Sequence, residues 1–386
     1  MLVVDKKKTA LVMLLGDPSC DPRPNRMIDT LSKQGFAVDI VSHEVKGKIN
    51  AHQQWIIKTN FSSKLFRKSF HLLRRALSAF PKSTEIKNLI NNLAFGLTGL
   101  HRFLRDQNYD VIVVEDLFLL PLAFKIKKKA KIIFDAREYY PRQNEEKFIW
   151  RVFEKPERVR LCAQYLHLCD HILTVSPGLQ REYKKDFGVE AVLYRSVPRY
   201  SMQAPRPTDS NYIKIVHHGV ANPNRKLERM IEVVKKLDSR FYFDMYLTGR
   251  QAEISSLKDH AADNDRIRIL EPVPFCNLSE MLSKYDIGLY YLEPSGFNVT
   301  YNLPNKFFEF IQARLAIAIG PSPDMATLVS QHDLGLVADE FTVDSMAEAI
   351  NRLTVDDINH YKSNAHKAAE LLCYESETKK ILEIFG

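Results

Sequence analysis

Two short stretches of this chain hold residues of the types and spacing that bind a phosphorylated, hydroxyl-bearing ligand. The first is HHGVANPNRKLERMIEVVKKL, residues 217 to 237. Gly219 permits a tight turn there, Asn222-Pro223-Asn224 is turn chemistry, and Arg225 and Lys226 stand where the helical pattern begins. Two cations beside the free N–H groups of a helix start suit a diphosphate; a merely solvated basic helix start is the other reading. The second stretch is EPSGFNVTYNLPNKFFEFIQARLAIAIG, residues 293 to 320. Gly296, Asn298, Asn302 and Pro304 make a polar loop, and Asn305 begins a helix with Lys306 and Glu309 in its first turns. A glutamate so placed can accept hydrogen bonds from both vicinal hydroxyls of a ribose, or simply favour its helix N-terminus as a surface carboxylate. His217 and His218 have no partner in the sequence and read as packing and turn residues.

Such loops need strands to hold them. Short β-branched runs alternate with longer helical stretches at Ala10 to Leu15, Ala37 to Ser42, Val111 to Val114, Lys131 to Asp135, His171 to Val175 and Ala191 to Tyr194. This is the rhythm of a parallel sheet covered by helices. It lapses at Val197 to Ser210, where Pro198, Pro205 and Pro207 mark a linker, and restarts at Ile213 to His217, Phe241 to Leu247, Ile267 to Ile269, Ile287 to Tyr291 and Ala316 to Ile319. The expected fold class is α/β: two Rossmann-like domains facing a central cleft, 1–200 and 201–365, with a C-terminal helix over 366–386 packing back toward the first. Ligands in such sheets sit beyond the carboxyl ends of the strands.

The 386 residues, 45% hydrophobic and 26% charged, fit a globular protein of two domains and exclude a disordered chain. Five scattered cysteines without CxxC or Cys/His pairing argue against disulfides and a zinc site. The N-terminal apolar run is too short for a signal peptide or a membrane span, which makes the cytoplasm the expected location. A net charge of +8 favours an anionic partner. Residues 62 to 80 place Lys64, Arg67, Lys68, Arg74 and Arg75 among leucines and phenylalanines, the pattern of a basic amphipathic helix on an anionic membrane surface or of an ordinary solvated face. The basic runs lack the interleaved aromatics or recognition-helix pattern of nucleic-acid binding.

The run PNKFFEF, followed by a small residue and the strand AIAIG, resembles the donor-binding segment of glycosyltransferase family 4. Lys33-Gln34-Gly35-Phe36-Ala37-Val38 resembles the end of that family's first helix, and Asp21-Pro22-Arg23 its beginning. Val175-Ser176, Leu247-Thr248-Gly249, Tyr285-Asp286-Ile287-Gly288-Leu289 and Leu334-Gly335-Leu336 follow in family order. The resemblance implies the GT-B fold and transfer of a hexose, with retention and without a metal or other cofactor, from a UDP- or GDP-sugar to a glycan or lipid-linked acceptor. The setting it implies is surface polysaccharide synthesis at the inner face of the cell membrane. It makes Arg225 and Lys226 the grip on the donor diphosphate and Glu309 the ribose ligand. Gly219, Gly249, Asn302, Asn305 and Lys306 join them at the donor.

The chain departs from the family twice. Tyr301 stands where members often carry the first of two glutamates, the one that touches the donor sugar. In FDAREYYP, residues 134 to 141, Arg137 replaces a histidine of the reaction centre, and an arginine cannot serve as a general base. Arg137, Glu138 and Asp116, with Glu115 and Asp17, are then the candidates for positioning an acceptor, the acids doubling as caps or surface charges. An inactive GT-B scaffold that binds a nucleotide sugar, and a nucleotide-sugar epimerase, are the alternatives.

Overall fold

A computed structural model of the chain describes residues 7–57 and 83–385. They form two compact units. The first holds the chain up to Tyr194 together with Gly296–Asn298 and the C-terminal Leu382–Phe385; the second holds Arg195–Ser295 and Val299–Ile381.

Unit 1 is built on seven parallel strands: β1 Thr9–Met13, β2 Ala37–Ser42, β3 Gln53–Ile56, β4 Val111–Val114, β5 Lys131–Ala136, β6 His171–Thr174 and β7 Val192–Leu193. Their order is β3-β2-β1-β4-β5-β6-β7. The central strands are continuous apolar runs because helices cover both faces, and Leu11, Val12, Ile112, Val113, Ile132 and Ile133 are wholly buried. β1 lies between β2 and β4, with Val12 opposite both Ile40 and Val113, and there the winding reverses direction. The helix Pro22–Lys33 leaves β1 by way of Asp21, whose carboxylate caps it by accepting from the Arg23 N–H, and buries Met27, Ile28 and Leu31. Within this unit Asn298 brackets the backbone of Tyr139: its Oδ1 accepts from the Tyr139 N–H at 2.7 Å and its Nδ2 donates to the Tyr139 carbonyl at 3.1 Å.

Unit 2 repeats the design with β8 Ile213–Ala221, β9 Phe241–Gly249, β10 Ile267–Leu270, β11 Ile287–Tyr290, β12 Ala316–Ile319 and β13 Gly335–Val337, all parallel, in the order β10-β9-β8-β11-β12-β13. The winding reverses between β8 and β11, and the helix Asn305–Gln312, which links β11 to β12, packs beside that point. Gly288 allows the close approach: a Cβ there would fall 2.4 Å from the Phe310 ring. Phe307, Phe308, Phe310 and Ile311 all vanish into the core.

The C-terminal segment is not the single helix expected over 366–386. A helix Val355–Leu371 ends where Leu372 leaves the helical region, a short helix Tyr374–Lys379 follows, and a 3-10 turn Leu382–Phe385 closes the described chain in unit 1. The break comes where Leu372, Cys373 and Tyr374 are buried and the Tyr374 N–H turns to bond the Pro198 carbonyl. The weak strands β3 and β13 carry no clear pattern in sequence.

Candidate functional site

The first group of candidates gathers at the carboxyl end of β8, beside the winding reversal of unit 2. There the backbone swings through Gly219 at φ +132°, a conformation that side chains rarely adopt. The missing Cβ makes room for a neighbour, since a Cβ at Gly219 would lie 2.7 Å from the Lys306 Nζ. Lys306 and Glu309, three residues apart, share one face of the helix Asn305–Gln312. Lys306 is buried, with Nζ 3.4 Å from His217 Nε2 and 5.6 Å from the centre of the Tyr290 ring. Glu309 Oε2 lies 3.2 Å from His218 Nε2 with both side chains largely buried, a close approach without a formed hydrogen bond.

Arg225 enters from the same loop, but not from the start of a helix. Asn222 caps a 3-10 turn Pro223–Arg225 by accepting from the Asn224 N–H, Lys226 follows in the left-handed region at φ 47°, and the helix runs only over Glu228–Lys235. The turn separates the two cations in role. Lys226 lies 3.2 Å from Glu293, which also takes Arg229 at 2.7 Å. Arg225 forms no ion pair among the described residues and touches only the Val220 carbonyl, at 3.4 Å.

Burial and then the Arg225 charge push the Lys306 ammonium down to about 7, against the pull of Glu309. Burial, followed by Lys306, holds His217 well below the usual imidazole range. This end of the sheet therefore holds two cations close together with no carboxylate bonded to either, an arrangement an anion relieves. Near them Asn302 donates to the Tyr290 hydroxyl at 3.2 Å, while its own Oδ1 is buried without a partner. Asn305 and Tyr301 are half-buried at the helix start, and Gly249 ends β9 opposite Ala221. The two histidines, packing residues on sequence grounds, face Lys306 and Glu309 across the sheet end. The signal for them was their place on the last buried turn of the strand that carries Gly219.

The second group lies at the ends of β1, β4 and β5 in unit 1. Arg23 and Asp135 form a buried two-pronged pair at 2.7 and 2.6 Å, and Arg23 also donates to the Tyr194 carbonyl. Arg137 is half-buried, held by Asp21 at 2.5 Å, with Glu115 Oε2 3.6 Å from its Nε. Glu115 is fully buried and neither of its oxygens has a hydrogen bond. Burial and the Asp135 charge raise its carboxyl well above the usual range, with Arg137 and Arg23 opposing. Asp116 accepts the Leu15 N–H at 2.7 Å and ties β4 to β1; burial raises it too. Burial likewise raises Glu138, against a hydrogen bond from Gln143, and its carbonyl accepts from the Tyr183 hydroxyl. Asp17 is taken up by its own turn, accepting from Ser19 and from the Lys46 N–H.

Lys64, Arg67, Lys68, Arg74 and Arg75 lie outside the described residues. Among the described residues no helix is long and apolar enough to cross a membrane, and no group of three or more His, Cys, Asp or Glu is placed to hold a metal ion.

Residues 25–199 match the model of Glycosyltransferase Family 4. Solved structures of similar fold include WaaG, a glycosyltransferase involved in lipopolysaccharide biosynthesis, at 12% identity and a TM-score of 0.68, covering 97% of this chain and 99% of that one. A point mutant of TarM of S. aureus, in complex with fondaparinux, alpha-GlcNAc-glycerol and UDP, gives 13% and 0.69 over 98% and 100%. HepE of Anabaena, in complex with UDP and glucose, gives 11% and 0.68 over 98% and 99%. No curated protein matches the sequence. The chain thus has the GT-B fold, and its first half is similar to Glycosyltransferase Family 4.

Proposed function

We propose that the chain transfers a hexose from a nucleotide-sugar donor bound at the end of β8 to a glycan or lipid-linked acceptor. The observation that carries this reading is the uncompensated pair Arg225 and Lys306 around Gly219, with Glu309 one helical turn from Lys306. A donor diphosphate neutralises the two cations, and the Glu309 carboxylate accepts from the ribose hydroxyls. As the bond from the anomeric carbon to the phosphate oxygen breaks, charge grows on the leaving diphosphate, where these cations stabilise it without a metal. The acceptor oxygen bonds the anomeric carbon and its proton passes to the departing phosphate, a route to retention that spares Arg137 the part of a base.

On the acceptor side, Arg137 is already engaged by Asp21 and Glu115, and the carboxyl groups of Glu115, Asp116, Asp135 and Glu138 outnumber the arginines. That balance favours a neutral polyol over an anionic acceptor. The UDP held by TarM and HepE supports a uridine nucleotide as the first donor to try, and WaaG's part in lipopolysaccharide synthesis supports a surface glycan. Such an acceptor would bring the chain to the inner face of the membrane, with the basic stretch from Lys64 to Arg75 as its contact. Co-sedimentation with anionic vesicles tests that part: changing Lys64, Arg67, Lys68, Arg74 and Arg75 to Glu should abolish it, and unchanged binding rejects it.

The donor site is tested by thermal shift with UDP, GDP, ADP and CMP and their sugars on the native chain, Glu309→Ala and Arg225→Ala. One nucleotide family should raise the native melting temperature and neither variant's. If none does at millimolar concentration, the assignment fails.

A further inference from the structure

The donor-site reading leaves two side chains of that site unexplained: His217 and His218, adjacent on β8 and both buried. We propose that they are positioning residues, His217 holding Lys306 for the diphosphate and His218 holding Glu309 for the ribose. The inference rests on the donor-site reading and adds to it a separate support for each half of the nucleotide.

The geometry fixes the chemistry of His217. Its Nδ1 lies 2.9 Å from the Leu289 carbonyl oxygen, which can only accept, so Nδ1 carries the proton. In the neutral ring Nε2 is then a bare lone pair, and it faces the Lys306 Nζ at 3.4 Å. The imidazole thus supplies the one acceptor that fixes a buried ammonium in the niche vacated at Gly219, leaving its other protons for a ligand. The groups around Lys306 are His217 and His218 from β8, Arg225 from the turn after it, Tyr290 from β11, and Glu309 from its own helix. Among these Glu309 alone favours the charged form by its own charge, so loss of the His217 acceptor favours the neutral amine.

His218 stands with its ring edge-on to Phe310, centroids 5.5 Å apart at 87°, which restricts its rotation. Its Nε2 is buried with no hydrogen bond formed, and Glu309 Oε2 lies 3.2 Å from it. A carboxylate offers about four lone-pair sites. With Oε2 set against the His218 ring, the carboxylate is held in a fixed direction for a pair of vicinal hydroxyls.

The experiment compares asparagine and glutamine at each position, because a Gln amide reaches where Nε2 sits and an Asn amide reaches only as far as Nδ1. His217→Asn thereby keeps a donor for Leu289 and loses Lys306. The probes are UDP and GDP, each with its 2′,3′-dideoxy counterpart, titrated by calorimetry from pH 6 to 9. His218→Asn should weaken the ribose nucleotide about tenfold and leave the dideoxy analogue unchanged, and His218→Gln should restore the difference. His217→Asn should weaken both probes alike at pH 7.5. It should also lower by about one unit the pH above which affinity declines, with His217→Gln returning it toward the native value.

Equal loss of both probes in His218→Asn, or a pH profile unmoved in His217→Asn, overturns the corresponding half. Should the His217 variants not fold, the native protein's imidazole ¹⁵N signals decide: a neutral ring protonated on Nδ1 at pH 6 is expected, and a proton on Nε2 refutes it. Should those of His218 not fold, the native protein's imidazole ¹⁵N signals decide here too: a shift of the His218 Nε2 signal on saturation with the ribose nucleotide and none with its dideoxy counterpart is expected, and equal shifts refute the contact. A native chain that binds neither nucleotide rejects the donor site itself. Native binding lost in Glu309→Ala but intact in both Asn variants rejects this inference alone.

Discussion

At the ends of their central strands the two units carry the same topology and opposite charge. In unit 2 the reversal between β8 and β11 gathers Arg225 and Lys306 with no carboxylate bonded to either among the described residues. In unit 1 the ends of β1, β4 and β5 pair each arginine with acid, Arg23 with Asp135 and Arg137 with Asp21 and Glu115, and still leave carboxyl groups in surplus. The strand order supplies a place for a ligand in both; the charge left over decides what kind of ligand gains by sitting there. Unit 2 is destabilised when empty and suited to an anion. Unit 1 has its arginines paired with carboxyl groups to spare, and is suited to hydroxyls.

The sharpest way to break the comparison is to delete one partner on each side. Asp135→Ala strands a buried guanidinium in unit 1 and should cost about 3–5 kcal/mol in denaturant unfolding. Lys306→Met in unit 2 should act in the opposite direction, stabilising the unliganded chain by about 3 kcal/mol near pH 7 while abolishing nucleotide binding. The sign follows from the depressed ammonium. Folded, Lys306 titrates at about 7 against 10.5 for the ordinary side chain, so the folded state holds fewer protons between those values and stability rises with pH across that window. A bound diphosphate reverses this, and titrations in buffers of different ionisation enthalpy should show proton uptake above pH 7. If Lys306→Met destabilises the empty protein instead, the two sites are not opposites.

A smaller effect isolates the backbone. Gly219→Ala puts a methyl 2.7 Å from the Lys306 Nζ at a φ that alanine resists, and should cost about 1–3 kcal/mol and weaken UDP or GDP binding. An alanine variant with native affinity would mean that Lys306 does not depend on this niche.

The difference in legibility between the two sites is itself physical. The unit 2 segment is readable because its parts are local: Lys306 and Glu309 share a helix face, and the glycine and turn residues before Arg225 have fixed backbone uses. The strand rhythm was equally plain where strands are buried on both faces, as at Val111–Val114, and silent at exposed β3. What could not be read was pairing across the chain. Nothing near Arg137 in sequence announces Asp21 or Glu115, nothing near His218 announces Glu309, and Lys226 looked equivalent to Arg225 until Glu293 was found beside it. The same limit hid the break at Leu372, which depends on the distant Pro198 carbonyl.

The finest test of the comparison concerns the proton on Glu115. Its carboxyl is raised by burial, so the folded chain holds a proton that the unfolded chain releases from about pH 4.3 upward. Stability from this group is therefore present at low pH and lost as pH rises toward the folded value, the reverse of the slope Lys306 imposes. Glu115→Gln keeps the shape and removes the titration. Its melting temperature should fall less than that of the native chain between pH 5 and 7, with Asp116 and Glu138 supplying the slope that remains. An unchanged slope would mean that Arg137 keeps Glu115 ionised. The unit 1 site would then be more acidic still, and an amino sugar, not a neutral one, would be the better acceptor to offer it.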